Sequence, residues 1–374
     1  MMGEKKSVQK LSWFVISFIS LYHALLAILL GVYLYQKGLP SMSMIWVVLV
    51  LYFMIGLGVT AGYHRLYSHR AYKTNAFVEF ILLFLGTLAA ENSALDWGAR
   101  HRKHHLYVDT DKDPYSIKKG FWYAHLWCMF RPLPVSVSSV PDLAKNKLIM
   151  FQHKYYKWLY LAENVFIIVI LGYLFNDFFG AFVFGFLLRT FLIHHSTFFI
   201  NSVAHCWGSQ SYSRESSAVN NLLLAFLTIG EGYHNYHHAF ASDYRNGVRW
   251  FHFDPTKWFI WTLYKTGMAK KLIVFNKLTI KKKIVLEDSK FLLENIKKSL
   301  DVRKQVFLVR VAEERNKVSQ YIEEARIARD AYLAGKASKL QKSEIKKLKG
   351  VLKVRNKVFR KSWSHWKKFI KTTY

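Results

Sequence analysis

Cysteine is scarce in this chain of 374 residues, and only six prolines interrupt it. The two cysteines, Cys128 and Cys206, have neither a CxxC spacing nor a zinc-type pattern. Zinc sites and iron–sulfur clusters built on cysteine are therefore excluded. Two free thiols suit a reducing compartment, although one disulfide between them is also compatible with the sequence.

Acidic residues are also few. There are 24 Asp and Glu against 54 Lys and Arg, which gives a net charge of +30. The segment from Asn276 to the C-terminus holds 28 basic and 10 acidic residues, and therefore +18 of that charge. Such a tail needs an anionic partner, either lipid headgroups or nucleic acid. Nothing in the chain resembles a nucleic-acid recognition module, so we expect lipid and no nucleic acid.

The basic tail is predicted to be mostly helical, since glycine and proline are rare beyond Thr279 and apolar residues are interleaved with charged ones. We expect a hairpin broken near Gly335. The last stretch mixes Lys and Arg with Trp363, Trp366 and Phe369, a pattern typical of an interfacial helix on an anionic membrane. A merely solvated charged helix is the alternative. Residues 276–374 are thus predicted to be a C-terminal extension of a domain at 1–275.

Long apolar runs are abundant, with 52% of the residues hydrophobic. Four runs, at about 11–35, 44–63, 158–175 and 178–200, reach the roughly 20 residues that a bilayer crossing requires. The fold class is therefore an all-α, multi-pass integral membrane protein with four transmembrane helices. Lys5, Lys6 and Lys10 precede the first run, which puts the termini and the large polar segments on the cytoplasmic side.

Histidines form three groups, in "HRLYSH", "HRKHH" and "HNYHH". In HxxHH, positions i, i+3 and i+4 share one helix face, so three imidazoles are predicted to point at one place. Neither a solvated helix nor an apolar core gains from that arrangement, whereas a metal ion does. The eight histidines exceed one zinc site. They are His64, His69, His101, His104, His105, His234, His237 and His238.

The number of spans decides whether these histidines can meet. Two spans separate "HRKHH" from "HNYHH", which returns the chain to the same face of the membrane. A complete crossing between "HRLYSH" and "HRKHH" would separate those two groups. The run at 77–95 contains Glu79, Glu91 and Asn92, and we expect it to lie in or dip into the bilayer without crossing. The sequence thus predicts a helical cytoplasmic cap that carries a two-metal site, and the lipid-facing position favours iron as the metal.

These motifs resemble the membrane fatty acyl desaturases of the stearoyl-CoA, or delta-9, type, and look more like bacterial than animal members. The resemblance covers residues 44–258 and is carried by "GVTAGYHRLYSHRAYK", "HRKHHLYVDTDKDPYSIKKGFW", "NSVAHCWGS" and "GEGYHNYHH". It implies two iron ions (Fe²⁺/Fe³⁺), O₂ as co-substrate and the formation of a cis double bond in a saturated acyl chain. It also implies a ninth ligand, His205, and a water-linked metal contact from Asn201.

The resemblance further implies a bent acyl tunnel between the helices. Glu91, Thr197 and Phe198 are expected near its bend, while Asn92 and Trp97 are expected near its mouth. Tyr52 and Gly56 are expected to close its far end. Ordinary helix packing is the alternative for each of these residues.

The acyl carrier remains open at this stage. Animal members of the family have an Arg-Asp pair just before the second histidine box, where this chain has Ala99 and Arg100, and often have Gln at the bend, where this chain has Glu91. We expect fatty acyl-CoA as the substrate, with acyl carrier protein or an intact glycerolipid as alternatives.

Electrons for such a reaction have to come from outside the chain. The sequence contains no HPGG haem segment, no dinucleotide fingerprint and no cysteine cluster, so a separate donor of the cytochrome b5 or ferredoxin type is implied. A membrane di-iron hydroxylase is the nearest rival to a desaturase. A metal-binding transporter or scaffold without chemistry is the rival from another class.

Overall fold

The computed structural model describes residues 10–132, 136–298, 304–338 and 340–373. Within these ranges the chain forms two compact units. The first unit comprises Met1–Gln210 and Ser216–Val274, and the second comprises Ser211–Glu215 and Phe275–Tyr374.

Four helices of the first unit are long and apolar enough to cross a membrane: α1 (Trp13–Lys37), α2 (Met42–Ser68), α7 (Lys147–Phe175) and α8 (Phe178–His205). They contain the four apolar runs, and α7 begins earlier than its run. Asn176 takes a left-handed conformation and ends α7, and the Asp177 side chain then caps the start of α8. The chain is therefore a multi-pass membrane protein with a tight α7–α8 hairpin.

The run at 77–95 does not cross. It forms α3 (Ala76–Thr87), whose 12 residues are too few for a bilayer, followed by a turn and the start of α4 (Ala94–Tyr107). Ala90 and Asn92 have φ angles of 60° and 74° in this turn. Because both lie in the left-handed region, the chain reverses sharply around Glu91.

Short elements complete the first unit. The helices are α5 (Phe121–His125), α6 (Pro141–Ala144), α9 (Leu222–Leu227), α10 (His234–Ala239) and α11 (Pro255–Lys265), and 3₁₀ turns lie at Ile117–Lys119, Trp127–Phe130 and Val137–Ser139. The all-helical prediction has one small exception. β1 (Lys73–Thr74) and β2 (Ala269–Lys270) pair in antiparallel register.

The second unit consists of α12 (Lys277–Lys298), α13 (Lys304–Ala337) and α14 (Lys342–Thr373). The hairpin break falls just after Gly335, as predicted. Trp366 is fully buried among side chains of the other two helices, and Phe369 is nearly so. The prediction that these aromatic side chains face a membrane is therefore wrong. They occupy core positions, and the basic side chains of α14 cover its outer face.

Candidate metal centre

The first histidine box lies in a π-helical segment, Gly58–Ser68, at the end of α2. A π-helix joins residues five apart, and here the His69 N–H donates to the His64 carbonyl oxygen over 3.1 Å. The two imidazole ring centres are 4.7 Å apart. The HxxxxH spacing thus brings both rings to one place because the helix widens here.

The second and third boxes lie on α4 and α10, and each divides its histidines between two groups. The prediction that all three rings of a box point at one place is therefore wrong. At 100° per residue, position i+4 lies 40° to one side of i, and position i+3 lies 60° to the other. His101 therefore pairs with His105, and His234 pairs with His238, while His104 and His237 each join the opposite pair.

Two groups of imidazoles result, and each could hold a metal ion. Within a group, one ring nitrogen of every histidine lies within 4.8 Å of the others. Neighbouring Nε2 atoms are 2.8–3.4 Å apart. The five-histidine group contains His64, His69, His101, His105 and His237, and the four-histidine group contains His104, His205, His234 and His238.

Asn201 lies four residues before His205 on α8. It lines the same cavity as His104 and His234 of the four-histidine group. His64 and His101 of the five-histidine group line this cavity too, so the side chain that the resemblance implied as a water-linked ligand lies beside both groups.

Three imidazoles are oriented through their Nδ1 atoms. His64 Nδ1 lies 2.9 Å from Glu231 Oε2, and His104 Nδ1 lies 2.9 Å from Asp113 Oδ1. His205 Nδ1 donates to Ser217 Oγ over 2.8 Å. A proton held at Nδ1 leaves Nε2 with a free lone pair that faces the group, as a metal ligand requires.

These anchors are themselves fixed. Ser217 Oγ donates to Asp109 Oδ1 over 2.6 Å, and Arg65 Nη2 lies 2.8 Å from Glu231 Oε1. Burial would raise the pKa of Glu231, but His64 and Arg65 outweigh it and hold that pKa at about 2. The Glu231 carboxylate is therefore charged at neutral pH.

Six imidazoles outside the spans are held neutral. Burial first, and then the neighbouring imidazoles, lowers the pKa well below its usual value for His69, His101, His105, His234, His237 and His238. Converging neutral imidazoles bring lone pairs together, which is unfavourable unless a cation lies between them. The donor set therefore fits two metal ions.

Two cavities meet beside the histidines. The larger has a volume of about 550 Å³ and the smaller about 50 Å³. Trp97, His101, Thr197 and Asn201 line both, and the Trp97 ring stacks on His101 with centres 4.8 Å apart. Tyr52 and Gly56 line the smaller cavity, while Glu91, Asn92 and Phe198 line the larger one.

Glu91 sits where the cavities meet. Its carboxylate accepts hydrogen bonds from Thr197 Oγ1 (2.7 Å) and Trp97 Nε1 (3.0 Å). Burial raises the Glu91 pKa to about 7, although both donors favour the charged form. At the far end, a Cβ on Gly56 would collide with Ile229 Cδ1, so a larger residue at position 56 would require the Ile229 side chain to shift.

Comparison with known proteins identifies the family. A fatty acid desaturase model matches residues 8–269, well over half of the chain. The chain belongs to the fatty acid desaturase family. Its sequence is similar to those of proteins named acyl-CoA and stearoyl-CoA desaturases.

Two yeast relatives match with high identity. The chain is 44% identical over 250 residues to "Probable acyl-CoA desaturase" of Schizosaccharomyces pombe, covering 65% of this chain and 52% of that protein. It is 38% identical over 247 residues to "Acyl-CoA desaturase 1" of Saccharomyces cerevisiae, covering 64% and 48%. The chain therefore spans about half the length of these two relatives.

A cyanobacterial relative is matched over nearly its whole length. The chain is 32% identical over 278 residues to "sn-2 palmitoyl-lipid 9-desaturase" of Nostoc sp., covering 72% of this chain and 93% of that protein. A human stearoyl-CoA desaturase is 34% identical over 226 residues, 58% of this chain and 63% of that protein. These two identities are too alike to distinguish bacterial from animal character.

The side chains that orient the histidines were not predicted from the sequence. Glu231 and Asp113 stand in quoted motifs, in "GEGYHNYHH" and "HRKHHLYVDTDKDP", and a carboxylate close to a histidine box was the available signal. Asp109 and Ser217 are 108 residues apart in sequence, so no local pattern links them. Arg65 follows His64 directly, but its two carboxylate partners lie far along the chain.

Proposed function

We propose that this chain is an O₂-dependent fatty acyl desaturase that inserts a cis double bond, at the delta-9 position, into a saturated fatty acyl-CoA. One observation carries the proposal: two groups of inward-facing imidazoles lie beside two apolar cavities, which share Trp97, His101, Thr197 and Asn201. An acyl chain in those cavities would pass directly beside both histidine groups.

The nine histidines are the proposed ligands of two iron ions, and Asn201 is the proposed water-linked ligand. When bound, the iron ions supply the O₂ chemistry that removes one hydrogen from each of two adjacent methylenes. The residues of the chain position the imidazoles and shield the reacting carbons. Glu231, Asp113 and Ser217 orient the imidazoles, and the apolar cavity walls keep water from the reacting carbons.

The position of the double bond would be set by the junction of the cavities. Glu91, Trp97 and Thr197 are hydrogen-bonded there, and together with Phe198 they would hold the bend of the chain. Tyr52 and Gly56 would limit its length, because they line the small distal cavity. Asn92 lines the larger cavity, on the carrier side.

The electron donor is proposed to be a separate protein of the cytochrome b5 or ferredoxin type. The histidine groups and both termini are proposed to face the cytoplasm. Residues 1–275 would form the desaturase domain, and residues 276–374 a basic extension. The outer face of α14 suits anionic lipid headgroups, since Lys346, Lys353, Lys357 and Lys361 are exposed there.

The test is the fatty-acid profile of a desaturase-deficient host that expresses the wild-type chain or His237→Ala. We expect monounsaturated products, identified by the loss of two hydrogens, and at least about a thousandfold less of them with His237→Ala. His365→Ala is the matched control, because His365 lies in the C-terminal unit outside both histidine groups, and it should keep the wild-type profile. A product that gains one oxygen would establish a hydroxylase instead. An unchanged profile despite bound iron and a supplied reductant would favour a scaffold.

A further inference from the structure

The larger cavity opens to the outside between α1 and α7. Phe14 on α1 and Leu161 on α7 both line it, yet they are 69% and 53% exposed. A side chain that lines a cavity and is also exposed marks a place where the cavity wall ends. The described residues thus form an opening at the α1–α7 edge.

This opening lies at the depth of the membrane interface. Trp13 and Trp158 stand beside it on the same two spans, and they are 71% and 73% exposed. Exposed tryptophans near the ends of transmembrane helices mark the boundary between acyl chains and headgroups. The opening therefore faces lipid, just below the headgroups.

The same cavity reaches the histidines. Trp97, His101 and Asn201 form its inner end, whereas Phe14 and Leu161 form its outer end. We propose that the acyl substrate enters sideways from the bilayer, between α1 and α7, and not from the water-filled side of the cap. This route rests on the proposed desaturase function, because it supplies the acyl chain of that reaction.

Two cations that line this cavity indicate what accompanies the acyl chain. Lys157 and Arg100 line the larger cavity, and Arg100 Nε is buried without a hydrogen-bond partner among the described residues. An anionic headgroup that enters this cavity would pair with these cations. The substrate is then a single acyl chain tethered to a phosphate-bearing carrier, and a glycerophospholipid or a membrane-adsorbed acyl-CoA both have this chemistry.

Leu161→Trp tests the route by adding bulk at the opening, and Leu174→Trp is its matched control. Leu174 lies on the same helix, is 63% exposed and lines neither cavity. The full-length protein in nanodiscs is mixed with trans-parinaroyl-CoA or with trans-parinaroyl phosphatidylglycerol, and fluorescence gives the association and dissociation rates.

An opening controls passage in both directions. Leu161→Trp should therefore slow association and dissociation alike, each about tenfold, and leave Kd unchanged. Leu174→Trp should match the wild type. Slowing with both probes supports the route for both carriers, and slowing with the phospholipid alone supports it for the glycerolipid.

Wild-type rates for Leu161→Trp with both probes would overturn the proposal. A raised Kd with an unchanged association rate would also overturn it, because Leu161 would then be an ordinary wall residue. The binding signal needs no turnover. Failure of the desaturase proposal would instead appear as a wild-type chain that binds the probes and makes no unsaturated product.

Discussion

Both units of the molecule have an apolar core, but they differ in the polar side chains that they bury. The first unit encloses nine imidazoles together with Arg65, Glu231 and Asp254. The second unit encloses mainly aliphatic and aromatic groups, such as Val285, Val318 and Trp366, and leaves its many Lys and Arg outside. Burying a polar group lowers stability unless the group has a hydrogen-bonding partner. A buried polar cluster of this size therefore indicates a functional site. Charge alone, as on α14, indicates a surface and not a site.

The largest expected effect tests the apolar half of this comparison. Trp366→Ala leaves a large void in the second unit and should destabilise it by about 3–5 kcal/mol. Iron content should be unchanged, because all the proposed ligands lie in the first unit. Hydrogen exchange of α12–α14 in the full chain measures the change. Trp250→Ala, at an exposed position, is the control, and equal protection in the two variants would contradict the assignment of Trp366 to a core.

The next largest effect tests the buried polar groups of the first unit. Asp113→Asn weakens the acceptor behind His104, so the affinity for iron should fall about 10–100-fold while the helices stay folded. Chelator competition followed by metal analysis measures that affinity. Asp111→Asn changes an exposed carboxylate in the same loop and should bind iron like the wild type. If both variants bind iron equally well, Asp113 serves folding and not the metal centre.

The smallest effect concerns one titratable group in the cavity. With a pKa of about 7, Glu91 is neutral below that pH and anionic above it. A carboxylate beside an acyl chain is unfavourable, so trans-parinaroyl-CoA binding should weaken about tenfold between pH 6 and pH 8. Glu91→Gln should abolish that dependence, whereas Glu79→Gln, outside both cavities, should keep it. A pH-dependent Glu91→Gln protein would mean that another group titrates.

The sequence predicted those parts of the site that depend on local spacing. Two HxxHH boxes separated by an even number of spans were sufficient to place their histidines together. The division of each box was not predicted, because it depends on where α4 and α10 meet. The π-helical widening between His64 and His69 was also not predicted, because its residue pattern does not differ from that of an ordinary helical turn.

The composition of the C-terminal tail fits two different kinds of helix. Trp363, Trp366 and Phe369 stand among Lys and Arg, which fits both a membrane-surface helix and a packed helix. Residues 352, 356, 359, 363, 366 and 370 are among the buried or half-buried positions of α14, and their alternating spacing of three and four is typical of helices packed on one another. That spacing, and not the composition, distinguishes a packed helix from a membrane-surface helix.

The crossed arrangement of the histidine boxes has a thermodynamic consequence. Because α4 and α10 each contribute histidines to both groups, the geometry of one group cannot relax without displacing histidines of the other. Binding of the first ion would order the histidines of both groups. The second ion would then bind with higher affinity, because little further ordering is needed. The two metal ions would then bind together and dissociate together.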